Sequence, residues 1–390
     1  MINKVIYIGY QPLTEKVKVD FYFQELIDNN IQINYWDLTE VFFKNLIFKN
    51  QLKDDFIIKI DSFDKLKNLL NKQDINSTFF ITNITLEYRV LKLFRILSKY
   101  KCKTAFFGRG AQPSYTEKSK TEIFKLKLKK IVNFNLVVNF LGNKYTYLLK
   151  RTGKINPFFI VFKAGELGLK SIGISHDIDE KFSKIINVNY FDYDKFLCSN
   201  NCDRLIKSNY CLYLDEYLPF HPDFQMFNIK TIEYKQFYRS LNNFFSFIEN
   251  KYNIEVVIAA HPKAEKYKQI NYFEGRKIFF NKSSELTKDA EFVLSHNSSS
   301  LSFAVLNLKP IILLYNDSIK QIMPNTYNVI INYFKALGVN CVNFEEEFGD
   351  ININKPDEFK YSDFRYKYLT SKVSENRLSS EIFVETILSM

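Results

Sequence analysis

Four histidines occur in this 390-residue chain, and each follows directly on an apolar run: SIGIS before His176, YLPF before His221, VVIAA before His261 and FVLS before His296. Such runs read as buried strands, and in open α/β sheets ligands bind beyond the carboxyl ends of the strands. Residues arriving there are placed for chemistry. The stretch from Phe292 to Leu314 reads as a strand, a hydroxyl-rich turn, a helix from about Ser300 to Leu306 and a further strand. Its Asn297, Ser298, Ser299 and Ser300 offer hydroxyls and backbone N–H groups at a helix start, where negative charge is favoured. VVIAAHPKAEKY brings His261 to a strand end, stops the strand at Pro262, and adds Lys263 and Lys266. An imidazole with nearby ammoniums can neutralise a departing phosphate. Asp215 and Glu216, in LDEYLPFHPDF, are adjacent, so on a strand their side chains point to opposite faces. One can then serve as general base toward an acceptor hydroxyl while the other orients a loop. In GRGAQPSY, Gly108 and Gly110 permit close backbone approach to a ligand. With Arg109, His176 and His221, this loop is the expected wall of a cleft.

Each feature has a plainer reading. A serine is a preferred helix cap, an acid at a strand end is often a turn residue, and Lys266 reads as a solvated charge. Four histidines at four strand ends weigh toward function.

The elements that position these residues follow from periodicity. Strands are expected at Lys4 to Gly9, Gln32 to Trp36, Phe56 to Ile60, Thr78 to Thr82, Lys103 to Phe107, Asn135 to Phe140 and Ser171 to Ser175. A second series is expected at Tyr210 to Leu214, Glu255 to Ala260, Lys277 to Phe280, Glu291 to Leu294 and Pro310 to Leu314. Helical spacing marks Tyr88 to Tyr100, where Val90, Leu93, Phe94 and Leu97 share a face, Ile232 to Asn250, and Ser374 to Met390 with Ser374 as its cap. Strands alternating with helices predict an α/β protein with parallel sheets in two halves, with no visible sequence repeat between them.

Composition narrows the class. Hydrophobic residues at 46%, charged residues at 25% and only 11 Gly and 9 Pro exclude long disorder and collagen-like sequence. The formal charge of +11 predicts an anionic partner. Five scattered cysteines (102, 198, 202, 211 and 341) lack paired zinc spacing and read as reduced thiols in the cytoplasm. The histidines lie 35 to 45 residues apart with no HxH or HExxH arrangement, so Asp177, Asp179, Asp192, Asp194 and Asp223 are not taken as metal ligands. The basic residues are spread except in Lys125 to Ile131, which with Lys120, Ile123 and Phe124 reads as an amphipathic basic helix. An anionic membrane surface suits it better than nucleic acid. No run approaches the roughly 18 apolar residues of a membrane span.

The HP pair in AAHPK, followed about 35 residues later by a strand and the serines of SHNSSS, resembles the nucleotide-binding half of GT-B glycosyltransferases. More narrowly it is similar to bacterial sialyltransferases and capsule enzymes that use CMP-activated nonulosonic acids or Kdo. The resemblance implies that His261, Pro262, Ser298, Ser299 and Ser300 hold the donor phosphate and that an acidic pair followed by glycine supplies the base. Here Tyr217 stands in the glycine position. The likeness covers residues 190 to 315, and NYFDYDKFL with LDEYLPFHPDF also resembles uncharacterised proteins of surface-polysaccharide clusters.

The resulting expectation is two Rossmann-like domains facing each other across a cleft: residues 1–185 on the acceptor side, a linker at 186–205, a nucleotide-sugar-binding domain at 206–370 and a C-terminal helix at 371–390. The activity expected is transfer of a nonulosonic acid or Kdo from a CMP donor to a cell-surface glycan or lipooligosaccharide. Asp215, Glu216 and His261 are the catalytic residues of this reading. Lys263, His296 and Asn297 join the donor site. It names no cofactor beyond the nucleotide sugar, no metal and no nucleic acid. The acceptor is a glycan or lipid-linked, and the location is cytoplasmic with peripheral contact at the inner membrane face. The alternatives are a UDP-sugar hexosyltransferase, a nucleotide-sugar epimerase, or a non-enzymatic basic protein that binds nucleic acid or membrane.

Overall fold

The structure is a computed structural model, described here for residues 1–44, 52–110, 113, 134–170, 177–199, 203–222, 224, 230–346, 348–349 and 351–390. His176, the strand expected at Ser171 to Ser175, Cys202, Asp223 and the basic segment Lys125 to Ile131 lie outside the described residues.

Two parallel sheets organise the chain. The first contains β1 (Lys4–Gly9), β2 (Gln32–Asp37), β3 (Ile57–Lys59), β4 (Thr78–Thr82), β5 (Thr104–Gly108), β6 (Ile160–Ala164) and β7 (Lys184–Val188), in the spatial order β3-β2-β1-β4-β5-β6-β7. The second contains β8 (Tyr210–Leu214), β9 (Glu255–Ala260), β10 (Ile278–Phe280), β11 (Val293–Ser295), β12 (Ile311–Tyr315) and β13 (Asn340–Asn343), in the order β10-β9-β8-β11-β12-β13. Each is doubly wound: the first strand lies inside the sheet and the order reverses beside it. That reversal falls between β1 and β4 in one sheet and between β8 and β11 in the other, where a crevice opens at the carboxyl ends.

One compact unit comprises Met1–Gly110, Glu117–Asn189 and Ser371–Met390, and the second is built from Tyr190–Thr370. In the first, successive strand residues serve opposite faces, as a period of two requires. Phe80 and Phe106 join Trp36, Phe94 and Val161 in one core; Phe79 and Phe107 join Tyr7, Phe23 and Phe162 in the other. In the second unit, helix Tyr234–Tyr252 buries Phe237, Leu241, Phe244, Phe245 and Ile248, the helical stripe expected from spacing.

Three differences from the sequence reading have physical causes. Asn135 to Phe140, expected as a strand, belongs to the 18-residue helix Phe134–Arg151; a short apolar run fits either state, and the length of the element decides. The last helix is Ser379–Leu388, with Leu378 at its N-cap. Ser374 instead hydrogen-bonds the Ser371 hydroxyl at 2.9 Å. This helix seats Phe383 against Phe107 and Phe162 in the first unit, at ring separations of 5.6 and 5.2 Å. Finally, β6, β7 and β13 escaped detection; β7 and β13 are short and half polar, whereas β6 is an apolar run between Pro157 and Gly165 that the sequence reading passed over. No helix among the described residues is long and apolar enough to cross a membrane.

Candidate functional site

β8 runs directly into Asp215 and Glu216, and its neighbours β9 and β11 end beside it at His261 and His296. Strands about 4.8 Å apart thus bring the loops after β9 and β11 to either side of one dipeptide. The two carboxyl groups diverge as strand geometry demands. Asp215 Oδ2 accepts the His261 backbone N–H at 3.4 Å, and Oδ1 accepts the Tyr267 hydroxyl at 3.2 Å. Tyr267 is in turn joined to the Tyr238 hydroxyl at 2.6 Å. Glu216 Oε1 accepts the Asn297 N–H at 2.8 Å and the Ser295 hydroxyl at 3.0 Å.

These acids are latches by geometry. Each holds the backbone of one flanking loop, where the sequence reading had one of them as a general base. Burial pushes Asp215 up to about 6 despite donors from Tyr217, His261 and Tyr267. Burial also pushes Glu216 up to about 8, assisted by the neighbouring Asp215 charge and opposed by the Ser295, Asn297 and Ser298 donors. That rise favours the protonated form of Glu216 near neutral pH, and its Oε2 is buried with no hydrogen-bond partner among the described residues. A neutral acid suits a carboxyl whose hydrogen-bond donors are the Ser295 hydroxyl and backbone N–H groups.

Tyr217 follows with φ of 57°. That left-handed conformation is free to glycine and costs other residues about 1–3 kcal/mol. Its buried ring packs edge-on to Tyr267 at 5.1 Å and near Phe220 at 5.5 Å, and this packing offsets the strain. The residue in the glycine position of the acidic motif thus keeps a glycine-like backbone.

His261 is half-buried, and its Nδ1 accepts the Lys263 N–H at 3.2 Å, which leaves the proton of the neutral ring on Nε2. The His221 ring stands 4.9 Å away. Pro262 and Lys263 are exposed beside it, and Lys266 lies over the Phe220 ring at 3.7 Å. Ser299 is exposed and Ser300 half-exposed, whereas Ser298 is buried and its hydroxyl accepts the Ser300 N–H at 3.3 Å. The next serine, Ser302, donates to Asp192 at 2.6 Å and so ties helix Leu301–Leu306 to helix Phe191–Ser199.

His296 is placed differently from the donor-site role expected for it. Its ring is enclosed by Tyr213, Phe237 and Phe344 at 5.6 to 5.8 Å, and Nδ1 bonds the Leu314 carbonyl at 2.7 Å. Burial pulls it down to about 4, so it is a neutral core residue. Arg109, expected at a cleft wall, is buried in the first unit, donates to the Asp20 carbonyl at 3.1 Å and the Tyr22 hydroxyl at 2.6 Å, and lies over Phe107. Gly108 packs on Leu169, and the Gly110 N–H bonds the Gly168 carbonyl at 3.3 Å. Sequence reasoning missed Tyr267 and Ser295, although both lie inside the stretches it singled out. Among the described residues no group of His, Cys, Asp and Glu gathers as a metal site.

No family model matches the sequence, and no curated protein does. Among solved structures, the wall teichoic acid polymerase TagF aligns over 99% of this chain and 89% of its own, at 11% identity and a TM-score of 0.53. A UDP-GlcNAc 2-epimerase from Methanocaldococcus jannaschii aligns over 100% of both chains at 15% identity, with a TM-score of 0.49. The likeness to TagF shows a shared fold, the two-domain α/β architecture of GT-B type.

Proposed function

We propose that the chain is a glycosyltransferase that takes a hexose from a nucleotide-linked donor and passes it to a glycan or lipid-linked acceptor in surface-polysaccharide assembly. The observation that carries the reading is the single dipeptide, Asp215-Glu216, to which both the His261 loop and the Asn297–Ser300 loop are latched at the switch point of the second sheet. Such a crevice is where open α/β sheets take their ligands. The GT-B fold shared with a polymerase supports transfer over the non-enzymatic alternatives. None of the structures named above is a sialyltransferase, and we adopt the hexosyl donor in place of the CMP-linked one.

In this reading His261 supplies Nε2–H to charge developing on the leaving phosphate, and the exposed Ser299 and half-exposed Ser300 bind its oxygens. Asp215 and Glu216 hold these groups at a fixed separation. Preorganised donors of this kind act on the transition state more than on the ground state.

His261→Ala should lower transfer about 10²–10³-fold, the usual effect of losing one such donor, with the circular dichroism spectrum unchanged. Turnover at the wild-type rate would overturn the assignment. A thermal-shift series with UDP, GDP, CDP, ADP and CMP identifies the donor, since a ligand bound to the native state raises the midpoint by mass action. Stabilisation by CMP alone would replace the hexosyl donor with the nonulosonic one, and stabilisation by none would remove the nucleotide. Product analysis separates transfer from epimerisation.

A further inference from the structure

The first unit holds a cavity of about 250 Å³ at its own switch point, formed by the end of β1, the loop after it and the end of β4. It is smaller than the roughly 300–1,000 Å³ that encloses a drug-sized ligand, so it suits a single ring. Tyr7, Tyr35 and Phe21 form walls, and none of the residues lining it is charged. The Tyr7 hydroxyl donates to the Phe21 carbonyl at 2.7 Å and the Tyr35 hydroxyl to the Gln11 carbonyl at 2.6 Å. Ring surface therefore faces the space. Burial pushes both phenols above their ordinary range, so they stay neutral. Of the cations around it, Arg89 lies over the Tyr10 ring at 5.4 Å and is paired with Glu87 at 3.2 Å, and Arg109, whose charge acts on Tyr7, donates to the Asp20 carbonyl and the Tyr22 hydroxyl. Gln11 and Asn83 stand exposed on the lining. An amide offers both a donor and an acceptor, as a sugar hydroxyl does, while apolar walls match the C–H face of a pyranose. An anionic ring would lose its hydration here against a lining that carries no cation of its own.

We propose that this cavity binds the ring of an uncharged pyranose and discriminates against a carboxylated one. It rests on the preceding reading only for the ring's role in transfer; the site itself stands on the first unit. Saturation-transfer NMR on the full chain with methyl β-D-glucopyranoside, methyl β-D-galactopyranoside and methyl β-D-glucuronide tests it. At least one neutral glycoside should bind about tenfold or more tightly than the glucuronide. The Gln11→Ala/Asn83→Ala variant should lose at least fivefold of that affinity while keeping its spectrum and its nucleotide-induced thermal shift. Equal or tighter binding of the glucuronide, absence of saturation with every glycoside, or undiminished binding in the variant would overturn the proposal. Adding the nucleotide sugar identifies the source of the ring: displacement of the glycoside assigns the cavity to the donor sugar, and joint binding assigns it to the acceptor. Either agrees with the site. Because nucleotide binding is read separately, failure here leaves the donor reading standing, and the reverse.

Discussion

The two sheets share a winding order around the first strand, yet their switch points differ in chemistry. In the first unit the strand ends at β1 and β4 are uncharged, and its buried acids sit elsewhere: Asp37, at the end of β2, accepts the Thr39 N–H at 2.9 Å, while Asp179 lies against the buried Lys150 ammonium and also accepts the Phe158 N–H at 3.0 Å. In the second, Asp215 and Glu216 stand at the switch point itself, with backbone N–H and hydroxyl groups as their partners. A cation keeps a buried carboxylate ionised; neutral donors hold it in place while leaving its charge costly. The first arrangement joins two opposite buried charges, with burial pulling Lys150 below its ordinary range. The second makes the ligand end of the sheet sensitive to pH.

Breaking the pair in the first unit should give the larger loss. Asp179→Ala strands the Lys150 charge and should cost about 3–5 kcal/mol in denaturant unfolding; a loss under 1 kcal/mol would show that the pair is not closed in solution. Asp215→Ala leaves the His261 N–H without its acceptor and leaves the Tyr267 hydroxyl only Tyr238, at about 1–3 kcal/mol. It should also reduce transfer, because the loop bearing His261 loses its latch. Unchanged transfer with reduced stability would make the latch purely structural.

The finest distinction is in pH. Glu216 is raised in the folded state, so its stabilising contribution is complete below its unfolded value of 4.5 and is lost as pH rises through about 8. Asp215 follows the same sign between 3.8 and about 6. His296, lowered to about 4 from 6.5, has the opposite sign, its contribution being lost as pH falls through that window. Above pH 6.5 Glu216 is left to dominate among these three. Stability should then decline toward pH 8 by up to about 1.4 kcal/mol per pH unit. Glu216→Gln, which copies the neutral acid, should fold normally and flatten the decline. A flat wild-type profile would mean that Glu216 is ionised throughout.

Much of the fold was legible because buried parallel strands advertise themselves as continuous apolar runs. All five strands expected in the second unit were found within two residues of their observed bounds, and the stripe of Tyr234–Tyr252 gave its buried face directly. The strand ends carrying Asp215, His261 and Asn297 were legible for the same reason. Arg109 and His296 were not, since a polar residue after an apolar run reads alike whether its side chain meets solvent or folds back into the core. Asn135 to Phe140 failed because period cannot separate a short apolar strand from a turn or two of helix.

The residue pattern by itself determined that this chain forms two parallel α/β layers and that chemistry-bearing groups arrive at their strand ends, since both follow from local periodicity and chain direction. Only the tertiary structure decided that Asp215 and Glu216 secure two loops, that burial raises Glu216, and that a cavity with an uncharged lining sits beside β1. Those properties depend on strand order, which brings segments 46 to 81 residues apart into hydrogen-bond range, and on depth of burial, which no single stretch of sequence encodes.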